Sequence, residues 1–240
     1  MLVEVCCNSL QSALNAEKAG ADRIELCSEL GVGGVTPSYG LLQLVKSRLS
    51  IPVHVLIRPR SAHFTYTDLE FEVMLNDIGL CISAGADGIV CGILNADATL
   101  DIQRTQKLIK KAAPLHFTFH RAFDWISDQK KALQQLDQLG AHCVLTSGGK
   151  ANSHNALTQL AQLKKLNTRM VVMPGGGIHH QNVLDFKKEG FSAIHLSGSQ
   201  FQHHLPQTDK IPLNSNPHLQ EDRVAVTNAQ VIAEVVQLVK

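Results

Sequence analysis

The chain has 240 residues, 44% of them hydrophobic, and its 22 Lys plus Arg nearly balance 21 Asp plus Glu. That length fits one large domain that buries roughly three quarters of its unfolded surface, so no disulfide or metal is required to hold a core. The charge balance argues against nucleic acid or an anionic membrane as main partner, and no apolar run approaches the ~20 residues of a membrane span.

The start, Met1-Leu2-Val3-Glu4-Val5, has no basic n-region and reads as strand rather than as a signal peptide. From there a unit recurs: an amphipathic helix, a glycine stop, and a short apolar run. Gly20-Ala21-Asp22 leads into Arg23–Cys27, Gly85-Ala86-Asp87 into Gly88–Gly92, Gly140-Ala141-His142 into Cys143–Thr146, and Gly190-Phe191-Ser192 into Ala193–Leu196. Glycine suits the left-handed position that ends a helix, and each apolar run suits a strand buried on both faces. The pattern predicts eight strands, near residues 2–7, 23–27, 53–58, 88–94, 116–121, 143–147, 169–174 and 193–197. Between them, Thr67 and Glu70 form a capping box ahead of Phe71, Met74, Leu75, Ile78 and Ile82 at helical spacing. Eight alternations predict the α/β class and a single (β/α)8 TIM-type barrel over residues 1–240, with an open doubly wound sheet as the rival. Residues 200–226, polar and carrying Pro206, Pro212 and Pro217, read as a long irregular loop before the last helix, a lid candidate. His203-His204 within it reads as solvated loop.

Strand parity then aims the charges. An ionised group facing the helix layer would sit in a dry apolar interface at a cost of several kcal/mol. Glu4 and Glu25 must therefore face the barrel axis, and Cys6 and Cys27, two residues higher on neighbouring strands, face it with them. Arg58, His120 and His195 join them in a polar upper mouth above a lower half expected to be apolar, with Asp124 following strand five. Upper mouths are where such barrels bind ligands. The plain alternative is a closed network in which Glu4, Glu25 and Arg58 satisfy one another. Gly175-Gly176-Gly177 and Ser197-Gly198-Ser199 end strands seven and eight, where backbone N–H groups can approach an anion. No dinucleotide or Walker fingerprint is present, so no nucleotide cofactor is expected.

The six cysteines, at 6, 7, 27, 81, 91 and 143, lie mostly in apolar stretches without a C-x-x-C, which reads as reduced thiols in the cytosol. His54 reads as a packed core histidine.

Laid out in order, the chain resembles the CutC copper homeostasis family over nearly its whole length. The resemblance rests on Glu4-Val5-Cys6, Gly20–Cys27, Gly33-Gly34 with Thr36-Pro37-Ser38, Ile57-Arg58-Pro59-Arg60, Thr118–Asp124, Leu145–Gly149 and Met173–Gly177. It implies a TIM-type barrel, a cytoplasmic protein, a homo-oligomer (dimer or larger), and a role in copper handling. The cysteines put forward as Cu(I) ligands in that family fall on Cys6 and Cys27, and soft thiolates select Cu(I). The chain departs from the family pattern at Asn8, where an acid is usual, at Ser61-Ala62-His63-Phe64, and after His195, where an arginine is often found.

Three functions follow as expectations. One is Cu(I) binding at Cys6 and Cys27. Another is an enzyme acting on a small anionic metabolite, phosphorylated or not, with Arg58, Gly175, Gly176, Gly177 and Ser197 holding the anion and Glu25, His120 or Asp124 serving catalysis. The third is a non-catalytic scaffold whose rim binds a partner. No lysine ends a strand, which counts against a Schiff base.

Overall fold

The computed structural model describes residues 1–166, 168–203 and 223–240. In chain order these form β1 (Leu2–Cys7), α1 (Leu10–Lys18), β2 (Arg23–Leu26), α2 (Tyr39–Arg48), β3 (Val53–Leu56), α3 (Asp68–Ser83), β4 (Gly88–Cys91), α4 (Ile102–Ala112) and β5 (His116–Phe119). The second half continues with α5 (Gln129–Leu139), β6 (Cys143–Thr146), α6 (Leu157–Lys164), β7 (Val171–Pro174), α7 (Val183–Lys188), β8 (Ala193–Leu196), β9 (Ser199–His203), β10 (Arg223–Thr227) and α8 (Ala229–Val239).

Strands β1 to β8 pair in parallel in the order β7-β6-β5-β4-β3-β2-β1-β8. A parallel bridge between Gly175 and His195 joins β7 to β8 and closes the ring. The expected (β/α)8 barrel is the fold. Helix starts follow their sequence signals: Ser9 caps α1, and the Thr67–Glu70 capping box opens α3 with both reciprocal hydrogen bonds made. Among the described residues no helix is long and apolar enough to cross a membrane.

Two apolar environments sort by parity. Val3, Val5, Cys7, Ile24, Leu26, Val53, Val55 and Ile57 belong to one continuous core between barrel and helices. Cys6, Cys27, Leu56 and Val90 pack separately inside the barrel, and Cys143, Leu145, Met173 and Ala193 form a second interior group. Alternation along each strand thus assigns every one of these side chains to one layer.

The interior departs from expectation in its lower half. Apolar on the β6–β8 side, it is polar on the β2–β5 side, where Arg23 is buried and the His54 and His116 rings lie with centroids 4.9 Å apart. Glycine makes this packing feasible: a Cβ on Gly88 would lie 2.5 Å from the His54 ring.

The stretch read as an irregular loop is bounded by structure. β9 and β10 pair antiparallel, with Ser199 opposite Thr227 and Arg223 opposite His203. The amide of Asn8 donates to the Ala225 carbonyl (3.2 Å), that of Asn15 to the Thr227 carbonyl (2.8 Å), and the Thr227 N–H to Ser12 Oγ (3.1 Å). Asn8 therefore ties this ribbon to the start of α1. His204, Pro206, Pro212 and Pro217 lie outside the described residues.

Candidate functional site

At the carboxyl ends of the barrel strands lies a cavity of about 280 Å³. Cys6, Glu25, Arg58, His120 and His195 line it, together with Gly176, Gly177 and Ser197. Five ionisable side chains from five different strands or strand ends are thus brought to one space. Glu4 and Cys27 sit just behind the lining, both fully buried.

The floor is built by register. Glu4 lies opposite Arg23 on β2 and His195 on β8, while Cys6 lies opposite Glu25. Glu4 accepts hydrogen bonds from Arg23 Nε and from His195 Nδ1, the latter at 2.8 Å. Burial by itself would raise the Glu4 carboxyl, but the His195 hydrogen bond and the Arg23 and His195 charges outweigh it and hold the group down at about 2. His195 is disfavoured as a cation by burial, yet its bond to Glu4 and the Glu25 and Glu4 charges raise it above the ordinary histidine value. Its other nitrogen, Nε2, lies 3.4 Å from Glu25 Oε2. Glu25 itself is pushed up, first by burial and also by the nearby Glu4 charge. An imidazole whose protonated form is favoured therefore sits between a carboxylate held in its ionised form and one that burial biases toward its neutral form.

Above this floor the Cys6 and Cys27 sulfurs are 3.6 Å apart. Cys6 is held strongly in the thiol form by its hydrogen bond with Cys27, by burial, and by the Glu25 charge. One ligand atom each from Cys6, Glu25 and His195 lies within 4.8 Å of the others. The donor set fits a soft metal ion: two thiolates each about 2.3 Å from one ion at a tetrahedral angle lie about 3.8 Å apart, close to the separation seen. His195 and Glu25 group with Cys6 and not with Cys27, so the sulfur pair and the Cys6–Glu25–His195 group meet at Cys6, and any of these groups that bound an ion would give up its proton.

Arg58 is placed differently from its expected role. Its Nη1 donates to the carbonyls of Val32 (2.8 Å) and Gly34 (2.6 Å), and its Nη2 to that of Ala62 (2.8 Å). The guanidinium thereby clamps the loop over Cys27, and Nε alone stays without a partner among the described residues. His120 accepts the Ala122 N–H at Nδ1 (3.2 Å), and burial, with the neighbouring Arg58 charge, lowers it to about 3. It is a neutral imidazole with its proton on Nε2.

Asp124 is taken up by its neighbours: it accepts from Thr146 Oγ1 (2.5 Å), Ser147 N (2.9 Å), Ser147 Oγ (2.8 Å) and Arg121 Nε (2.8 Å). Among the described residues it is not part of the cavity lining, and it braces the loops after β5 and β6. Gly175 serves close approach, since a Cβ there would lie 2.5 Å from Leu145 Cδ1 and 3.3 Å from His195 Cβ. His54 is a core histidine, 3.8 Å from Glu4 and lowered by burial to about 4.

The sequence reading did not place Arg23, Phe64 or Arg121 at the site, although Arg121 stands beside His120 at the end of strand five. Arg23 was within reach of the parity argument, lying two residues before Glu25 on the same strand. Phe64 and Arg121 belong to loops, where parity says nothing.

Fold and site together define a (β/α)8 barrel whose upper mouth carries a buried centre of thiols, imidazole and carboxylate. The chain belongs to the CutC family, whose model matches residues 1–200. It is 37% identical to a CutC-family protein of Klebsiella pneumoniae (strain 342) over 97% of this chain and 95% of that one. A CutC-family protein of Salmonella typhi is 42% identical over 82% of this chain and 76% of its own length. The crystal structure of a provisional copper homeostasis protein CutC from Streptococcus agalactiae superposes with a TM-score of 0.78 at 34% identity, over 82% of this chain and 98% of that one.

Proposed function

We propose that this protein acts in copper homeostasis by holding one Cu(I) ion per chain at Cys6 and Cys27, with Glu25 and His195 beside Cys6. The observation that carries this reading is the 3.6 Å approach of two buried sulfurs beside an imidazole and a carboxylate. Thiolate donors favour Cu(I) over harder ions, and the CutC name of its relatives points the same way. All six cysteines are free and buried, as a reducing cytoplasmic setting requires. A homo-oligomer belongs to the same reading: Leu69, Val73 and Leu80 expose apolar side chains along one face of α3.

The test is an anaerobic titration with Cu(I) against a competing chromophoric chelator. One ion per chain, lost on the double change Cys6→Ser and Cys27→Ser but kept on Cys81→Ser, supports the proposal. Equal uptake by the double variant overturns it.

A further inference from the structure

The two sulfurs lie on the β1 and β2 side of the barrel mouth. Across the cavity, the turn Arg121–Trp125 after β5 and the ends of β7 and β8 bring Arg121, Gly176, Gly177 and Ser197 to the same space. Register and close approach make these four neighbours. Gly175 bridges His195 in parallel, so Gly177 and Ser197 each stand two residues beyond that bridge. A Cβ on Gly176 would lie 3.5 Å from Arg121 Cζ and Nη1, so the guanidinium rests against the backbone of that glycine.

Arg121 is anchored without being used up. Its Nε donates to Asp124 (2.8 Å) and its Nη2 to Ser147 Oγ (2.9 Å), while Nη1, the nitrogen beside Gly176, has no acceptor among the described residues. The Arg121 side chain is 44% exposed, whereas that of Asp124 is 7% exposed and also accepts from Thr146, Ser147 and Gly149. The cavity therefore meets the guanidinium and not the carboxylate that holds it. The glycine turn is anchored from behind in the same manner. Ser153, fully buried and no part of the cavity lining, donates to the Gly176 carbonyl from its N–H (2.9 Å) and its Oγ (2.8 Å). A trans peptide sets C=O and N–H on opposite sides, so the Gly177 N–H points away from Ser153, and no described residue accepts it. Gly176 and Gly177 hold φ of 102° and 73°, which glycine adopts without strain. Ser197, partly exposed on the same wall, has a hydroxyl with no partner among the described residues.

We propose that Arg121 Nη1, the Gly177 N–H and the Ser197 hydroxyl bind the phosphate group of a small phosphorylated molecule, in the same cavity as the thiol centre and independent of it. A guanidinium, a backbone N–H and a hydroxyl are the donors that hold anionic oxygens, and the charged one makes the strongest bond. They come from three different strand ends, which suits the three terminal oxygens of a phosphate better than the two of a carboxylate. The rest of the lining, with Leu30, Leu56, Phe64 and Ile178, suits a short apolar body. At about 280 Å³ the cavity stands at the lower end of ligand pockets, which begin near 300 Å³, so the molecule is small.

The test is calorimetric titration of the full chain, metal-free, with inorganic phosphate, glycerol 3-phosphate and, as a carboxylate of similar size, lactate. The expected result is saturable binding of at least one of the two phosphates, with lactate at least about tenfold weaker. Affinity for that phosphate falls about tenfold or more in Arg121→Gln, which removes the charge. Ser197→Ala breaks no hydrogen bond among the described residues, so it keeps the fold, and it weakens binding about threefold or more. That second variant carries the test if Arg121→Gln also disturbs Asp124. The Cys6→Ser plus Cys27→Ser variant keeps the affinity, which separates this site from the copper reading. The proposal is overturned if neither phosphate binds saturably, or if lactate binds as tightly. It is equally overturned if Arg121→Gln and Ser197→Ala both bind as wild type does, or if the double cysteine variant loses the affinity, since the anion then rests on the thiol centre.

Discussion

His195 Nδ1 stands 2.8 Å from Glu4 Oε1, inside a barrel where both residues are buried. Glu4 also accepts from Arg23, so one buried carboxylate is shared between a guanidinium and an imidazole. Replacing Glu4 by Gln keeps the shape and removes the charge, leaving Arg23 buried without an anion. Breaking a buried pair in this manner costs about 3–5 kcal/mol. Urea unfolding of Glu4→Gln should show a loss of that size with an unchanged m-value; a loss under about 1 kcal/mol would mean that the pair contributes little to the fold.

The neutral histidines set the response to acid. His120 is held at about 3 in the fold, by burial and then by the Arg58 charge, against an ordinary value of 6.5. Below pH 6.5 the unfolded chain takes up a proton that the folded chain refuses until about pH 3, so stability falls as pH drops across that window. One such proton corresponds to about 1.4 kcal/mol per pH unit. His54, lowered to about 4 by burial, acts in the same direction. Glu25 and His195, both raised, act in the opposite sense: each contributes stability below its unfolded value and loses it as pH rises through its folded one. The clean observable is a difference. Between pH 6 and pH 4, wild type should lose about 1.4 kcal/mol per pH unit more than His120→Phe, measured by denaturant unfolding at each pH. Parallel pH profiles for the two would contradict the neutral, buried imidazole.

How much of this was readable beforehand follows from what each residue obeys. Glu4, Cys6, Glu25 and Cys27 were legible because an acid on a doubly buried strand can face only the axis, and alternation carries the thiols along. The same logic, run downward from Glu25 to Arg23 and from His120 through Thr118 to His116, would have revealed the polar lower interior that was expected to be apolar. The β9–β10 ribbon was hidden because its two halves are separated by residues 204–222, although Arg223-Val224-Ala225-Val226-Thr227 carries an alternating pattern. The partners of Arg58 were not legible at all. A guanidinium at a strand end suits an anion and a row of carbonyls equally, and only the path of the Leu30–Gly34 loop decides.

That loop supplies the next prediction. Three carbonyls, of Val32, Gly34 and Ala62, accept from Arg58. Arg58→Met keeps the stem and removes these donors, releasing the segment that covers Cys27. Hydrogen exchange should rise at least tenfold across residues 30–36 and 59–65 while the β5–β7 strands stay protected. Uniform acceleration through the barrel would show instead that Arg58 supports the whole fold.

The central claim is that Cys6 and Cys27 hold one soft metal ion between them, and copper-edge X-ray absorption reads it most directly. On protein loaded anaerobically with one equivalent of Cu(I), the account predicts a Cu(I) edge with two sulfur scatterers in wild type and one in either Cys6→Ser or Cys27→Ser. A first shell of nitrogen and oxygen alone, or a spectrum unchanged by both substitutions, would contradict it.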